Sequence, residues 1–330
     1  MHLAFPLLAS LCVFMQMVFG NTELEEFTNF IKQFNKVYKN VEEYQYRLSV
    51  FTENLNVARR LQREELGTAT YGITKFSDLT DEEFARNSLT LVDDVPPNNV
   101  KELKVEATAV SSSCDWRKAG IISEAKSQGK CGSCWAFATV GNIEAQWGII
   151  GHSVNLSVQQ LIDCGPSENG CKGGKVKDAY LSVIKQKGLV SEKVYPYKAV
   201  AQKCKKINSV KTTIKDYVSL PKNEQAMARF VKINGTIAVR INATGLKSYL
   251  GGVIHPTSCD EKKLNHAVLA VGYSKDSKVP YWIIKNSWGE NWGENGFFRL
   301  YFGKNICGVA ESPTSSIVTK AGKKKICPRV

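Results

Sequence analysis

After its first twenty residues the chain has no long apolar run, so no later stretch has the length a bilayer span needs. Histidine is scarce: the four are His2, His152, His255 and His266. Neither a metal nor any other cofactor is expected. Acidic residues are scarce in the second part, where residues 110–330 carry 33 Lys/Arg against 15 Asp/Glu, a net of +18. Residues 21–109 carry 11 against 16, a net of −5, and the two parts should attract each other. The basic side chains are scattered singly and in pairs rather than massed on one element, which argues against a nucleic-acid-binding stripe.

At 330 residues the length prior is roughly two domains. With 43% hydrophobic and 23% charged residues, there is ample material for a globular core. Leu3 to Phe19 is almost unbroken apolar sequence, closed by Gly20. Residues 1–20 therefore read as a secretory signal, although the segment lacks Lys and Arg. An uncleaved anchor is the alternative, for which the run is short. Ten cysteines agree with export. Apart from Cys12 in the leader and Cys134, an even set of eight remains, suited to an oxidising compartment. The sequons at Asn155, Asn234 and Asn242 are glycosylation candidates on the same route, which leads to a lysosome or out of the cell. Once the signal is removed, no membrane association is expected.

The stretch Gln128-Gly129-Lys130-Cys131-Gly132-Ser133-Cys134-Trp135-Ala136-Phe137 turns from a polar, glycine-containing loop into an apolar run. Ala138, Val140, Ile143, Trp147 and Ile150 continue it at intervals that predict a buried helix, with Gly148 and Gly151 as terminators. A thiol in the first turn of a helix faces the positive end of the macrodipole, which favours the thiolate. Covalent chemistry is expected there. Cys131-x-x-Cys134 also admits a dithiol redox pair, and Cys131 a structural disulfide that leaves Cys134 out.

Residues 21 to about 92 read as a helical module. Thr22 with Glu25 and Thr80 with Glu83 have capping-box spacing. Leu24, Phe27, Ile31 and Phe34 form one apolar seam, and Tyr44, Leu48, Phe51, Leu55, Ala58 and Leu61 form another. Glu43 and Arg47 stand four apart, close enough to pair. Here the chain resembles a known family. Glu43, Arg47, Phe51 and Asn54 have the spacing of the ERFNIN motif of papain-like cysteine protease propeptides of the cathepsin L type. Ala58 and Gln62 replace its usual Ile and Asn. Gly72, Phe76 and Asp78 resemble the GNFD motif, with Thr74 in place of Asn.

From Asp115-Trp116-Arg117 onward the chain resembles the mature papain-like domain. The pattern is helical from 134 to about 185, then richer in β-like runs at 235–241, 267–273 and 281–285. An α+β fold of two lobes is expected, a helical left lobe and an antiparallel β-barrel-like right lobe, preceded by a helical inhibitory prodomain. The expected divisions are a signal at 1–20, an inhibitory propeptide at 21–109 and a peptidase domain at 110–330, of which 320–330 is a basic extension. The proline-paired linker at 93–110 resembles the family segment that runs backwards through the cleft and blocks it.

The resemblance implies a cysteine endopeptidase. His266 lies in Leu264-Asn265-His266-Ala267-Val268 and Asn286 in Lys285-Asn286-Ser287-Trp288-Gly289, which match the family's catalytic histidine and asparagine motifs. Cys134 would be the nucleophile, and the Gln128 side-chain amide an oxyanion donor. Trp288 would shield the His266–Asn286 bond on the leaving-group side. Gly170-Cys171-Lys172-Gly173-Gly174 is similar to the substrate-gateway loop. Gly173, Gly174, Lys175, Val176, Leu264 and Ser312 would bind substrate, the last four around the second residue before the cut. Lys175 departs from the apolar residue usual there, so aliphatic side chains are expected with some acidic or polar ones tolerated.

The family pairing carries over as Cys131–Cys171, Cys164–Cys204 and Cys259–Cys307. The remaining Cys114 and Cys327 are expected to join the two ends of the mature domain. The interval from Cys171 to Cys204 holds no long insertion or paired histidines of the kind that make an exopeptidase loop. Expected partners are protein and peptide substrates, the chain's own propeptide as inhibitor, and cystatin-type inhibitors. Self-processing is expected near pH 4 to 5, roughly where carboxylates titrate. The start of the mature chain falls between about 104 and 113. Two other readings compete: a non-catalytic relative whose helical module is the active part, and a dithiol oxidoreductase using Cys131 and Cys134.

Overall fold

Apolar side chains at intervals of three and four build the N-terminal module of the computed structural model, which describes residues 22–89, 103, 112–165, 170–318, 322 and 324–330. The leader at 1–20, the linker at 93–110 apart from Leu103, and positions 110–111 lie outside the described residues.

Helix α1 spans 22–33, α2 Val41–Glu64 and α3 Asp81–Ser88. Asn40 caps α2 by accepting from the Glu43 amide, and Thr80 with Glu83 forms a complete capping box on α3. Phe27, Phe30 and Phe51 are buried with ring centroids 5.1 to 5.9 Å apart, and burying each stabilises the module by about 1.5–3 kcal/mol. The Glu43–Arg47 pair forms, but at 3.8 Å. Arg47 instead grips Glu83 through two bonds of 2.6 and 3.0 Å, tying α2 to α3. Ala58, in the place of the usual Ile, is buried, and the Gln62 side chain donates to Ala69 O and accepts from the Tyr71 amide.

The remaining elements are β1 (Thr70–Tyr71), β2 (Ser113–Asp115), α4 (Cys134–Ile149), α5 (Val158–Cys164), α6 (Val176–Lys185), β3 (Asp216–Ser219), α7 (Glu224–Asn234), β4 (Ile237–Ile241), β5 (Tyr249–Gly251), β6 (Val253–Ile254), β7 (His266–Ser274), β8 (Tyr281–Lys285), β9 (Phe297–Tyr301) and β10 (Thr314–Ile317). The main sheet runs β3-β10-β4-β7-β8-β9-β6, with β2 added on β7. Its pairings are antiparallel except β6 on β9. A separate pairing of β1 with β5 stitches the module to the body.

Strand β7 is buried over all nine residues because both its faces are covered. Val268 and Ala270 pack with Ile237, Val239 and α7, whereas Ala267, Leu269 and Val271 face α4 and α6. The two lobes therefore share this strand, and His266 begins it at the edge of the seam between them.

The expected end of α4 needs a correction. The helix continues past Gly148 to Ile149, and Gly151 (φ +88°) takes the left-handed turn after it. Gly148 is set by packing instead: a Cβ there would stand 2.9 Å from the Ile121 Cβ.

Four disulfides join Cys131–Cys171, Cys164–Cys204, Cys259–Cys307 and Cys114–Cys327. The last is supported by Asp115 N donating to Pro328 O and Lys232 Nζ to Cys327 O, so the basic tail lies back against the start of the body. No helix among the described residues is long and apolar enough to cross a membrane.

Candidate active site

Cys134 is the first residue of α4 and, among the described residues, the one cysteine outside a disulfide. The loop before it is fixed at several points. Cys131 is bonded to Cys171, which rules out a Cys131/Cys134 dithiol pair. Gly132 N donates to Cys171 O (2.8 Å), and Gln128 N donates to Ser287 O (2.8 Å). Tyr197 Oη donates to Gln128 O and lies 2.8 Å from Ser133 Oγ. Its phenol is pushed up to about 12, chiefly by burial, with the negative charge at Cys134 adding to the effect. A negative charge at Cys134 is in turn favoured by the α4 N-terminus.

Phe137, Ala138 and Gly141 of α4 line one recess with Ala267, Val268, Asn286 and Ser287, which brings the first turns of α4 against the start of β7 and the end of β8. There His266 Nε2 lies 2.8 Å from Asn286 Oδ1, and its ring stacks on Trp288 at 4.8 Å and 25°. The Nδ1 atom makes no hydrogen bond among the described residues. His266 is fully buried, and that burial pushes the imidazole down to about 4, with the Asn286 bond acting the other way. His152 and His255 stand elsewhere, against Trp147 and Tyr301.

Three further residues hold this arrangement and have no signal in the chain order. Ser287 Oγ donates to Gln128 Oε1 (2.7 Å), which orients the Gln128 amide across the lobe boundary. Lys285 Nζ donates to Ser123 Oγ (2.8 Å) beside Glu144, and burial lowers it to about 8. Tyr197, described above, is the third.

An ionisable thiol at a helix N-terminus, an imidazole oriented by an amide oxygen, and an amide donor beside them make a set for acyl transfer. Comparison with known proteins agrees. Residues 110–317 match the papain family cysteine protease model, and residues 27–84 match the cathepsin propeptide inhibitor domain (I29). The chain belongs to the papain family of cysteine proteases. It is 44% identical to cathepsin W of Mus musculus, over 92% of this chain and 89% of that one, and 42% identical to cathepsin W of Felis catus with the same coverage. Among solved structures, the digestive procathepsin L2 proteinase of Tenebrio molitor superposes with a TM-score of 0.83 at 33% identity, covering 90% of this chain and 100% of that one.

The propeptide of this papain-family chain lies on its site. Phe76 and Phe84 pack edge-on to Trp288 at 5.4 and 5.2 Å. The Ser88 carbonyl accepts from Gln128 Nε2 (3.3 Å) and Trp288 Nε1 (3.4 Å), while Gln128 Nε2 also donates to Cys131 O (2.8 Å). The Gln128 donor is thus occupied by the inhibitor's own backbone. Farther out, Lys247 of the body is buried and donates to Asn54 Oδ1 (2.6 Å) and Asp81 Oδ1 (2.5 Å). Thr74 Oγ1 donates to Lys247 O, and Lys75 Nζ to Trp288 O. The charge attraction read from composition is therefore focused on Lys247, while Asp78 and Glu83 pair inside the module with Lys36 and Arg47.

The substrate-binding candidates lie in the loop before α6, at the head of α6, just before β7 and just before β10. Gly173 takes φ +108°, and a Cβ on Gly174 would stand 2.6 Å from the Trp135 ring, so neither position admits a side chain without movement. Val176 is buried at the head of α6, and Lys175, Leu264 and Ser312 are half-buried.

The sequons divide. Asn155 is exposed and Asn234 half-buried. Asn242 is corrected: it is buried, its amide nitrogen donates to Asp260 O and its oxygen accepts from Thr244, leaving no room for a glycan.

Proposed function

We propose that this cysteine protease is an endopeptidase in which Cys134 is the nucleophile, His266 the general base and acid, Asn286 the group that orients it, and Gln128 an oxyanion donor. The observation that carries the reading is the 2.8 Å His266–Asn286 bond next to a helix that opens on a cysteine outside any disulfide. Once the propeptide leaves, His266 takes the Cys134 proton, and the thiolate attacks the peptide carbonyl carbon. The carbonyl π pair moves to oxygen, which receives the Gln128 side-chain N–H and the Cys134 backbone N–H. Collapse expels the amine as His266 protonates it, leaving a thioester. His266 then deprotonates water, which attacks the thioester, and the departing thiolate regains its pairing with the imidazolium. Asn286 Oδ1 accepts the second ring N–H throughout, and Trp288 keeps water from that bond.

The remaining parts of the reading follow. The interval between Cys171 and Cys204 holds no long insertion and no paired histidines, which favours cleavage within chains. Lys175, Val176, Leu264 and Ser312 receive the second residue before the cut. Residues 1–20 direct the chain to the secretory pathway, four disulfides suit it to a lysosome or the extracellular space, and 21–109 is removed on acidification to leave 110–330. Cystatin-type inhibitors would occupy the opened cleft. The test is hydrolysis of an internally quenched peptide after an added serine protease has removed the propeptide and has itself been inhibited. Cys134→Ala is expected to abolish it, and full turnover by that variant would overturn the assignment.

A further inference from the structure

Four helices begin on a residue whose side chain accepts from their first turn. These are Asn40 on α2, Thr80 on α3, Ser157 on α5 and Asn223 on α7, each in an extended backbone conformation. Helix α4 begins on Ser133, a residue type that caps well, yet Ser133 makes no such bond among the described residues. Its φ of −103° and ψ of +15° lie in the sparsely allowed bridge region, not the extended one a capping residue takes. The hydroxyl is held elsewhere. Ser133 Oγ lies 2.8 Å from Tyr197 Oη and 3.3 Å from Cys131 O. Tyr197 Oη also lies 2.8 Å from Gln128 O. A carbonyl only accepts, so the phenol proton goes to Gln128 O and the Ser133 proton to Tyr197. Tyr197 is itself fixed at both ends. Its amide donates to Glu192 Oε1 at 2.8 Å, and its ring stands edge-on to Phe137 of α4 at 4.9 Å and 71°.

We propose that Tyr197 is a positioning residue that keeps Ser133 from capping α4, and so reserves the positive end of the helix for the Cys134 thiolate. This rests on the reading above that Cys134 is the nucleophile. A capping Oγ would set a lone pair against the first turn and divide the field that favours the thiolate. A serine left to itself at that place gains by capping, so another group has to oppose it. The Tyr197 phenol does so by accepting from the hydroxyl. Through its second bond it also fixes the Gln128 carbonyl, and with it the start of the loop that carries the oxyanion donor.

The experiment uses protein whose propeptide has been removed by an added serine protease, itself then inhibited. Alkylation of Cys134 by iodoacetamide is followed against pH by peptide mass spectrometry, and kcat and KM are measured on an internally quenched peptide. Tyr197→Phe keeps the ring beside Phe137 and removes only the hydroxyl. The acid limb of the alkylation profile is expected to move up by about half a pH unit, the scale of a helix terminus acting on a charge. The kcat should fall about three- to tenfold with KM unchanged, the loss of one neutral hydrogen bond. Ser133→Ala, which has no hydroxyl to cap with, should leave the limb in place. Adding Ser133→Ala to Tyr197→Phe should return the limb to its wild-type position while kcat stays low, because Gln128 O still lacks its donor. A merely structural loosening would not be reversed by deleting a second hydroxyl. A limb that stays put in Tyr197→Phe, or that the second substitution does not return, overturns the inference and leaves the protease assignment standing. Wild-type protein that is not alkylated at Cys134 overturns both readings. Should Tyr197→Phe fail to fold, Ser133→Ala decides: a limb that moves down reveals a hydroxyl already capping and overturns the inference, and an unmoved limb sustains it.

Discussion

Lowering the pH should loosen the propeptide through His266 itself. With the cleft covered, burial holds the imidazole at about 4, against 6.5 for an ordinary histidine. Phe76, Phe84 and Ser88 cover Trp288, which stacks on the ring, so removing the propeptide should let water reach the ring and let it bind a proton that the covered ring refuses. In a Cys134→Ser chain, where no thiolate pairs with the ring, both states are neutral above 6.5 and the covered state carries no penalty. As the pH falls from 6.5 towards 4 the covered state loses about 1.4 kcal/mol per pH unit, tenfold in its dissociation constant, and about 3 kcal/mol across the window. The assay is a ring-proton NMR titration of a Cys134→Ser chain, which cannot cut itself, before and after an added protease removes the propeptide. His266 is expected to titrate near 4 in the intact chain and at or above 6 in the cut one. Titration at the same pH in both, or above 6 in the intact chain, would refute the reasoning.

Three other perturbations have defined outcomes. Asn54→Ala removes the acceptor for Lys247 Nζ and the donor to the Ser77 and Leu79 carbonyls, leaving buried partners unmet. That should cost about 2–4 kcal/mol and shift the onset of self-processing to higher pH on a gel time course; an unmoved onset would count against Lys247 as the docking point. Glu83 is held below the usual carboxylate range, chiefly by its bond to Arg47, so the stability it supplies is present above about 4.5 and lost as the pH falls through its folded value. Glu83→Gln in the Cys134→Ser chain should lower the module's melting stability by about 1 kcal/mol at pH 7 and shrink the drop between pH 7 and 4, read by circular dichroism; an undiminished drop would contradict this. Replacing Cys114 and Cys327 by Ser opens a bridge across a sequence separation of 213. The chain-entropy account assigns it about 5 kcal/mol, so a calorimetric melt that stays put would refute that contribution.

Much of this was legible because it is local. The run from Cys134 has helical spacing and a polar loop before it, and both properties survive any tertiary context. The runs at 267–273 and 281–285 read as β-like, and both fall in strands. What escaped depends on residues far apart in the chain. Two-residue β1 has no strand signature of its own and exists because β5 offers it an edge. Arg47 looked like the partner of Glu43 four positions away, yet Glu83 outbids it with two shorter bonds from another helix. Ser287 was in plain view inside Asn286-Ser287-Trp288, but its bond to Gln128 spans 159 positions. A cation inside β4 reads as a pattern error until the register turns it towards the interlobe seam. Asn242 satisfied a three-residue rule while folding buried it under Asp260 and Thr244.

The central claim is that one thiol, made reactive by the ring at position 266, performs the chemistry. Treating the protein, its propeptide removed by an added protease, with an epoxide or vinyl-sulfone inhibitor and mapping the adduct by peptide mass spectrometry tests it directly. A single adduct on Cys134, lost in His266→Ala, is the predicted result. An adduct on any other residue, or labelling of Cys134 at an undiminished rate without His266, would contradict it.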